Sequence, residues 1–442
     1  MRAASVGWVG WVGWVGWVGW GRVLWWDQSV AAAIPPPPAD VDPSGLTPDD
    51  IARLRADTPG CLTRHHLNNA GAALPPQVVV DTMIEHLRRE SVVGGYEAQD
   101  EAHERIAATY VSVGRLVGAP VRQIALTTSA TDSWLRGFLS VPLRAGDRVL
   151  VSQAEYASNV LAILAATRRV GAVVEAVPDD AQGVIDVDAL RSMLDERVRV
   201  VALTHAPSQN GLLHPAAEVG RVLREAGSEA WYLLDACQSV GQVPIDAADI
   251  GADFISATGR KFLRGPRGIG MLYTSTRALE LEPALIDLNA AEWVDESSYV
   301  IADGATRFES WERSYAGLLG FGAAADYALD LGLDVIASRI GWLAESIRSR
   351  LREIPGVVVR DRGTVRTGIV TFTVDGRVSA DVAREIKADG VNVSHSPASY
   401  ALRDFRAQGL AGMVRASPHV YNDEGDLQAL VAAVRIAAAH ID

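Results

Sequence analysis

An α/β fold, with a mostly parallel central sheet, helices on both faces and a smaller C-terminal α/β domain, is predicted by three observations. Between Gln123 and Thr274, apolar runs of strand length alternate with helical patterns. The strand-like runs are continuously apolar, as strands covered on both faces of a parallel sheet must be. After a long helical region from Tyr315 to Ile354, a separate and shorter αβ mixture follows.

The chain begins with Trp8, Trp11, Trp14, Trp17, Trp20, Trp25 and Trp26 in a Gly-Trp-Val triplet repeat. A period of three keeps to no single face of a helix or strand. Residues 1–45 are therefore read as a low-complexity, disordered extension with a stiff linker at Pro35 to Pro38, in preference to a secretory signal. Thr47-Pro48-Asp49-Asp50 reads as a capped helix start. Residues 46–80 form an N-terminal segment, 81–312 a large domain and 313–442 a small one. Strands are expected at Ile124 to Thr127, Arg148 to Ser152, Ala172 to Val177, Arg199 to Thr204, Trp231 to Leu234, Asp253 to Ile255 and Gly268 to Tyr273. A less regular crossover runs from Glu280 to Trp311. In the small domain, strands are expected at Val357 to Val359, Gly368 to Val374, Val391 to Ser394 and Met413 to Ala416, with a closing helix from Glu424 to His440.

Composition removes several function classes. A formal net charge of -13 disfavours nucleic acid as a partner. Two cysteines, Cys61 and Cys237, make neither a disulfide framework nor a zinc site, and a reducing cytoplasm is the expected location. The pair His65-His66 lacks further metal ligands, so no metal is expected. No run after the linker is long and apolar enough for a membrane helix.

Ligands of doubly covered parallel sheets sit at the carboxyl ends of the strands, so the residues that follow each strand carry the information. Thr128-Ser129-Ala130-Thr131-Asp132-Ser133 opens a helix whose free N–H groups suit a phosphate, an ordinary cap being the alternative. Tyr156 sits at the next strand end, placed to stack on a planar ligand or to pack in the core. Asp235 emerges directly from an apolar strand, which is costly for a carboxylate without a partner. Lys261 lies among Arg260, Arg264 and Arg267 in a glycine-punctuated turn. Neighbouring cations and burial lower an amine's pKa, as a nucleophilic lysine requires; an exposed basic loop is the alternative. A lysine, a carboxylate, an aromatic and an anion cradle at one sheet edge together suit pyridoxal 5'-phosphate.

In order and spacing, six motifs resemble the class V aminotransferase and cysteine desulfurase group of fold-type I pyridoxal phosphate enzymes. They are Leu67-Asn68-Asn69-Ala70-Gly71, Thr127 to Ser133, Glu155 to Asn159, Asp235 to Gly241, Gly259-Arg260-Lys261 with Gly265 to Gly270, and Val414-Arg415-Ala416-Ser417. The resemblance implies Lys261 as the Schiff-base lysine, Asp235 as partner of the pyridine nitrogen, and Gln238 at the ring hydroxyl. It implies Ala130, Thr131, Thr258 and Arg260 around the phosphate, Tyr156 on the ring, Arg415 on the substrate α-carboxylate and Asn69 lining the substrate pocket. It also implies a homodimer acting on an amino acid.

Arg260 stands where the family usually has histidine, and Ser208 near the position of a family asparagine. Arg307 to Glu312 replaces a Gly-Thr pair that reaches a neighbouring subunit in other members. No cysteine follows Cys237, so a cysteine desulfurase with a mobile catalytic cysteine is not expected. Within the family, Val93 to Tyr96, the Arg260-Lys261 loop and Arg415 to Asn422 look most like the carbon-sulfur lyases that act on hercynylcysteine sulfoxide in ergothioneine biosynthesis. The expected activity is therefore carbon-sulfur β-elimination after Lys261 removes the α-proton. An aminotransferase-like enzyme of secondary metabolism is the alternative, and a non-catalytic binding protein the third reading.

Overall fold

The computed structural model describes residues 42–439, so the Trp/Gly/Val repeat and the proline run lie outside the described residues. Thr47 caps the helix Pro48–Ala56 through a reciprocal box. Its Oγ1 accepts the Asp50 N–H at 3.2 Å, and Asp50 Oδ2 accepts the Thr47 N–H at 3.0 Å.

The central sheet contains β1 (Ile124–Thr127), β2 (Arg148–Val151), β3 (Val173–Ala176), β4 (Val198–Thr204), β5 (Trp231–Asp235), β6 (Phe254–Thr258) and β7 (Gly270–Thr274). Their spatial order is β1-β7-β6-β5-β4-β2-β3. The pairs β6-β5, β5-β4, β4-β2 and β2-β3 are parallel, whereas β7 runs antiparallel to both β1 and β6. The sheet is thus mostly parallel, as expected. Alternate residues enter separate cores because successive strand side chains point to opposite faces. Val149, Val200, Leu233, Phe254 and Leu272 join one cluster, and Leu150, Val201, Leu234, Ile255 and Met271 the other. Each such buried side chain contributes about 1.5–3 kcal/mol of transfer free energy. That two-sided burial is the physical content of the continuous apolar runs.

The long helical region is two helices, Tyr315–Leu331 and Leu333–Arg352, divided at Gly332 with φ 91°. Apolar periodicity continues on both sides of that glycine, so the pattern does not reveal the break, whereas the left-handed backbone does. The Glu280 to Trp311 crossover holds a hairpin of Ala291–Asp295 and Ser298–Ile301.

A second sheet comprises β8 (Val357–Val359), β9 (Val370–Val374), β10 (Ser394–Pro397) and β11 (Gly412–Ala416). Its order is β8-β9-β11-β10, antiparallel throughout. Leu343 and Ile347, Val382 and Ile386, and Leu430 and Val434, from three helices, pack with Phe372 and Val414 of this sheet. The expected strand Val391 to Ser394 is split: Val391 and Asn392 leave this sheet to pair in parallel with His65 and His66. The next residues, from Leu67 onward, run beside Ser417, whose N–H donates to the Leu67 carbonyl at 2.7 Å. Early residues are thereby brought alongside the end of β11. Among the described residues, no helix is long and apolar enough to cross a membrane.

Among the buried histidines, three are strongly shifted. Burial pushes His205 down to about 4 and His214 and His419 to about 3. The ordinary imidazole value is 6.5, so between 6.5 and these values the unfolded chain binds more protons than the folded one. The histidines' contribution to stability should accordingly fall as pH drops from 6.5 toward 4, by about 1.4 kcal/mol per histidine per pH unit once all are on slope, against an opposite contribution from Asp179, whose carboxyl burial pushes up to about 7. Thermal melts at pH 7, 6 and 5 check this. A fall in melting temperature between pH 7 and 5 that is no smaller in a His214→Gln variant than in the wild type would contradict it.

Candidate active site

The acid comes first because the sheet fixes it most firmly. Asp235 ends β5 and is buried. Its Oδ1 accepts the Cys237 N–H at 2.9 Å and its Oδ2 accepts Asn159 Nδ2 at 2.9 Å. Parallel pairing sets Asp235 opposite Ser256 on β6. The turn after β6 then delivers Lys261 to the same sheet edge.

Lys261 is half-buried. Burial lowers its amine below the ordinary lysine value; Cys237 and Asp235 oppose this, while Arg260 and Arg415 add to it. The same residues are thus close enough to act on its charge. Arg415 sits on β11, opposite Thr371 of β9 and Ser394 of β10. Its Nη1 donates to the Ser208 carbonyl at 3.0 Å and its Nη2 to Asn68 Oδ1 at 3.4 Å, leaving the buried Nε without a partner. Burial, with Arg260 beside it, lowers this guanidinium to about 10. Arg260 Nη1 donates to the Gly71 carbonyl. Two guanidinium groups therefore meet the one turn Asn68 to Gly71, from the sides of the lysine loop and of β11.

At the other end of the site, Ser129 caps the helix Ala130–Ser140 by accepting the Asp132 N–H at 3.1 Å. Ala130 and Thr131 are its first residues, and the Thr131 side chain is exposed. Thr258 lies opposite Gly270, and its Oγ1 donates to the Ile269 carbonyl at 3.3 Å. A Cβ on Gly270 would stand 2.4 Å from Ser129 C and 2.7 Å from Ala130 N. Only glycine lets the helix start approach β7 and Thr258 this closely. Gly270→Ala should push that start away, and an overpacking cost of about 1–3 kcal/mol corresponds to roughly 5- to 150-fold weaker cofactor binding. Titrating apoprotein with pyridoxal phosphate measures it, and an unchanged dissociation constant would refute the role of this contact.

Tyr156 caps the helix Ala157–Val170, half-buried, its N–H on Thr204 Oγ1 at 3.2 Å. Gln238 Nε2 donates to the Ala70 carbonyl at 3.0 Å, and its buried Oε1 has no partner. Asn69 is spent within the protein: Nδ2 donates to the Ser417 carbonyl at 2.8 Å, and Oδ1 accepts Tyr421 Oη at 2.5 Å. Asn68, not singled out from sequence, is the asparagine that reaches Arg415. Arg264 belongs to the frame. Its guanidinium is buried, stacks 4.7 Å from the Tyr421 ring centroid and donates through Nε to the Leu74 carbonyl at 3.0 Å.

The site so described fits pyridoxal phosphate. A lysine with a lowered pKa, a fixed carboxylate, a helix start beside a glycine, and the orphaned polar atoms of Gln238 and Arg415 offer the donors and charge that its aldehyde, ring and phosphate require. Fold and site together define a fold-type I pyridoxal phosphate enzyme. The aminotransferase class-V family model matches residues 65–430, and the chain belongs to that family.

A probable cysteine desulfurase of Methanothermobacter thermautotrophicus is 30% identical over 85% of this chain and 95% of that protein. The cysteine desulfurase CsdA from Escherichia coli superposes with TM-score 0.80 at 25% identity, covering 88% of this chain and 98% of CsdA. C-DES, solved as a lysine-to-alanine mutant with glycine covalently linked to the PLP cofactor, superposes with TM-score 0.78 at 21% identity over 86% of this chain and 98% of that one. The cofactor of this family, and of this chain, is pyridoxal 5'-phosphate.

These relatives correct one expectation. The lack of a cysteine after Cys237 argued against a cysteine desulfurase, yet the Methanothermobacter relative, matched along nearly its whole length, is a probable cysteine desulfurase, and CsdA, matched likewise, is a cysteine desulfurase. That inference weighed one position, whereas the match extends over the sheet, the lysine loop and the Arg415 strand together.

Proposed function

We propose that this enzyme cleaves the carbon-sulfur bond of a cysteine-type amino acid by β-elimination, as a cytoplasmic homodimer. The observation that carries the reading is the setting of Lys261, whose charge is influenced by Asp235 on one side and by Arg260 and Arg415 on the other. When bound, pyridoxal phosphate supplies an electrophilic carbonyl and an electron sink. Lys261 Nζ would hold the cofactor's carbonyl and, as a free amine with substrate bound, would take the α-proton, a task its lowered pKa suits. Asp235 would hold a proton on the pyridine nitrogen. Arg415 grips the α-carboxylate with a planar fork no lysine reproduces. The relatives' association with cysteine supports a sulfur-bearing substrate.

The test is product analysis of the holoenzyme with cysteine, its S-conjugates and their sulfoxides. Pyruvate and ammonia in equal amounts are expected. Alanine with released sulfur would replace elimination by desulfuration, and stoichiometric pyridoxamine phosphate without ammonia would replace both by transamination. Size-exclusion chromatography with light scattering checks the dimer, and fractionation of the producing cell the location.

A further inference from the structure

Beneath the ring-binding edge of the sheet lies a carboxylate with no role in the chemistry above. Glu155 is 2% exposed. Its Oε2 accepts Ser152 Oγ at 3.0 Å and the Thr204 N–H at 2.9 Å. Its Oε1 accepts Thr204 Oγ1 at 2.7 Å and Asn159 Nδ2 at 2.8 Å. A carboxylate has about four acceptor positions, and here all are filled by protein donors. Burial nevertheless pushes the Glu155 carboxyl upward, with Asp235 adding to it. A buried carboxylate is a costly way to fill space, since apolar residues of like volume pack as well or better.

What distinguishes this carboxylate is where its donors lead. Asn159 Nδ2 carries two hydrogens and reaches two carboxylates, Glu155 Oε1 and, at 2.9 Å, Asp235 Oδ2. Thr204 Oγ1, which gives its hydrogen to Glu155, accepts the Tyr156 N–H at 3.2 Å. One arm therefore ends on the acid assigned to the pyridine nitrogen and the other on the backbone of the aromatic assigned to the ring face. With Asn159 on Oδ2 and the Cys237 N–H on Oδ1, the plane of the Asp235 carboxylate is fixed from two sides.

We propose that Glu155, Asn159 and Thr204 form a positioning relay that sets Asp235 and Tyr156 in mutual register for the cofactor ring. The proposal rests on the assignment of those two residues to the ring. None of the three relay members touches the reacting atoms; they act through Asp235 and Tyr156.

Asn159→Leu keeps the volume and removes both donors. Hydrogen bonds to charged groups are the strong ones, and kcat should fall about 10- to 100-fold, with KM within about two-fold because Arg415 is untouched. The visible circular dichroism of the bound cofactor should weaken in step. Thr204→Val cuts the tyrosine arm and should raise the cofactor dissociation constant about 3- to 10-fold, with Thr204→Ser, which keeps the hydroxyl, restoring it. If Asn159→Leu does not fold, the valine and serine pair still decides. Folded variants whose melting temperature drops while kcat, cofactor affinity and circular dichroism stay at wild-type values overturn the relay. Wild-type protein that takes up no cofactor at Lys261 overturns the ring assignment itself, a separable result.

Discussion

Replacing Lys261 with alanine is expected to lower turnover by at least about 10⁴-fold, the scale on which loss of a catalytic nucleophile is felt. The effect is expected to be large because one amine is proposed to perform two tasks, holding the cofactor and moving the α-proton, and no second lysine occurs anywhere near it in sequence; Lys387, the other lysine of the chain, lies on the helix Ser379–Ala388. The fold should survive. Lys261 is a cation whose charge burial disfavours, so its removal sacrifices no stabilising ion pair. Borohydride reduction followed by peptide mapping should mark Lys261 in the wild type and nothing in the variant, which should still bind cofactor reversibly. The pH profile offers a second reading of the same group. Because the amine, freed once substrate is bound, must be unprotonated to take a proton, kcat should rise with pH through a value below the ordinary 10.5 of lysine. Retained turnover in Lys261→Ala, or an ascending limb at the ordinary value, would refute the assignment.

The sheet was legible because its code is simple. Strands buried on both faces are mostly apolar along their length, and β1 and β4 to β7 are, with polar residues chiefly at their ends, so run length sufficed to place them. Asp235 and Lys261 stood out as candidates for the complementary reason: a charge at the end of such a strand or in the turn that follows it breaks the apolar pattern. Features that depend on which way a side chain turns were not legible. Asn68 and Asn69 are chemically identical neighbours, and only the pairing of this segment beside Ser417 turns Asn69 inward to Tyr421 and Asn68 toward Arg415. Asn159 sits one helical turn after Glu155 and reads as an ordinary polar residue until Asp235 arrives from 76 positions away in sequence. Gly332 breaks a helix whose periodicity passes through it unchanged. The reading of the missing cysteine failed differently, by resting a whole activity on one absent side chain.

Arg415→Met should lower kcat/KM by about 100-fold or more, chiefly through KM, because a substrate carboxylate would enter a desolvated pocket without its charged partner. The same change should leave the apoprotein no less stable, or raise its melting temperature. In the wild type this guanidinium is buried, held by two uncharged acceptors with Nε unpartnered, and lowered to about 10 by burial and the nearby Arg260. A cation kept under those conditions costs free energy in the empty protein, which a substrate anion would recover on binding. Arg415→Lys separates charge from geometry. It keeps the positive charge and loses the fork, so it should recover less than half of the lost free energy if bidentate grip decides, and nearly all of it if charge alone does. Melting curves of the three apoproteins alongside KM for one amino acid give both answers. A destabilised Arg415→Met with unchanged KM would turn Arg415 into a structural strut of β11, and the substrate's carboxylate would then fall to Arg260, the other guanidinium that meets the Asn68 to Gly71 turn.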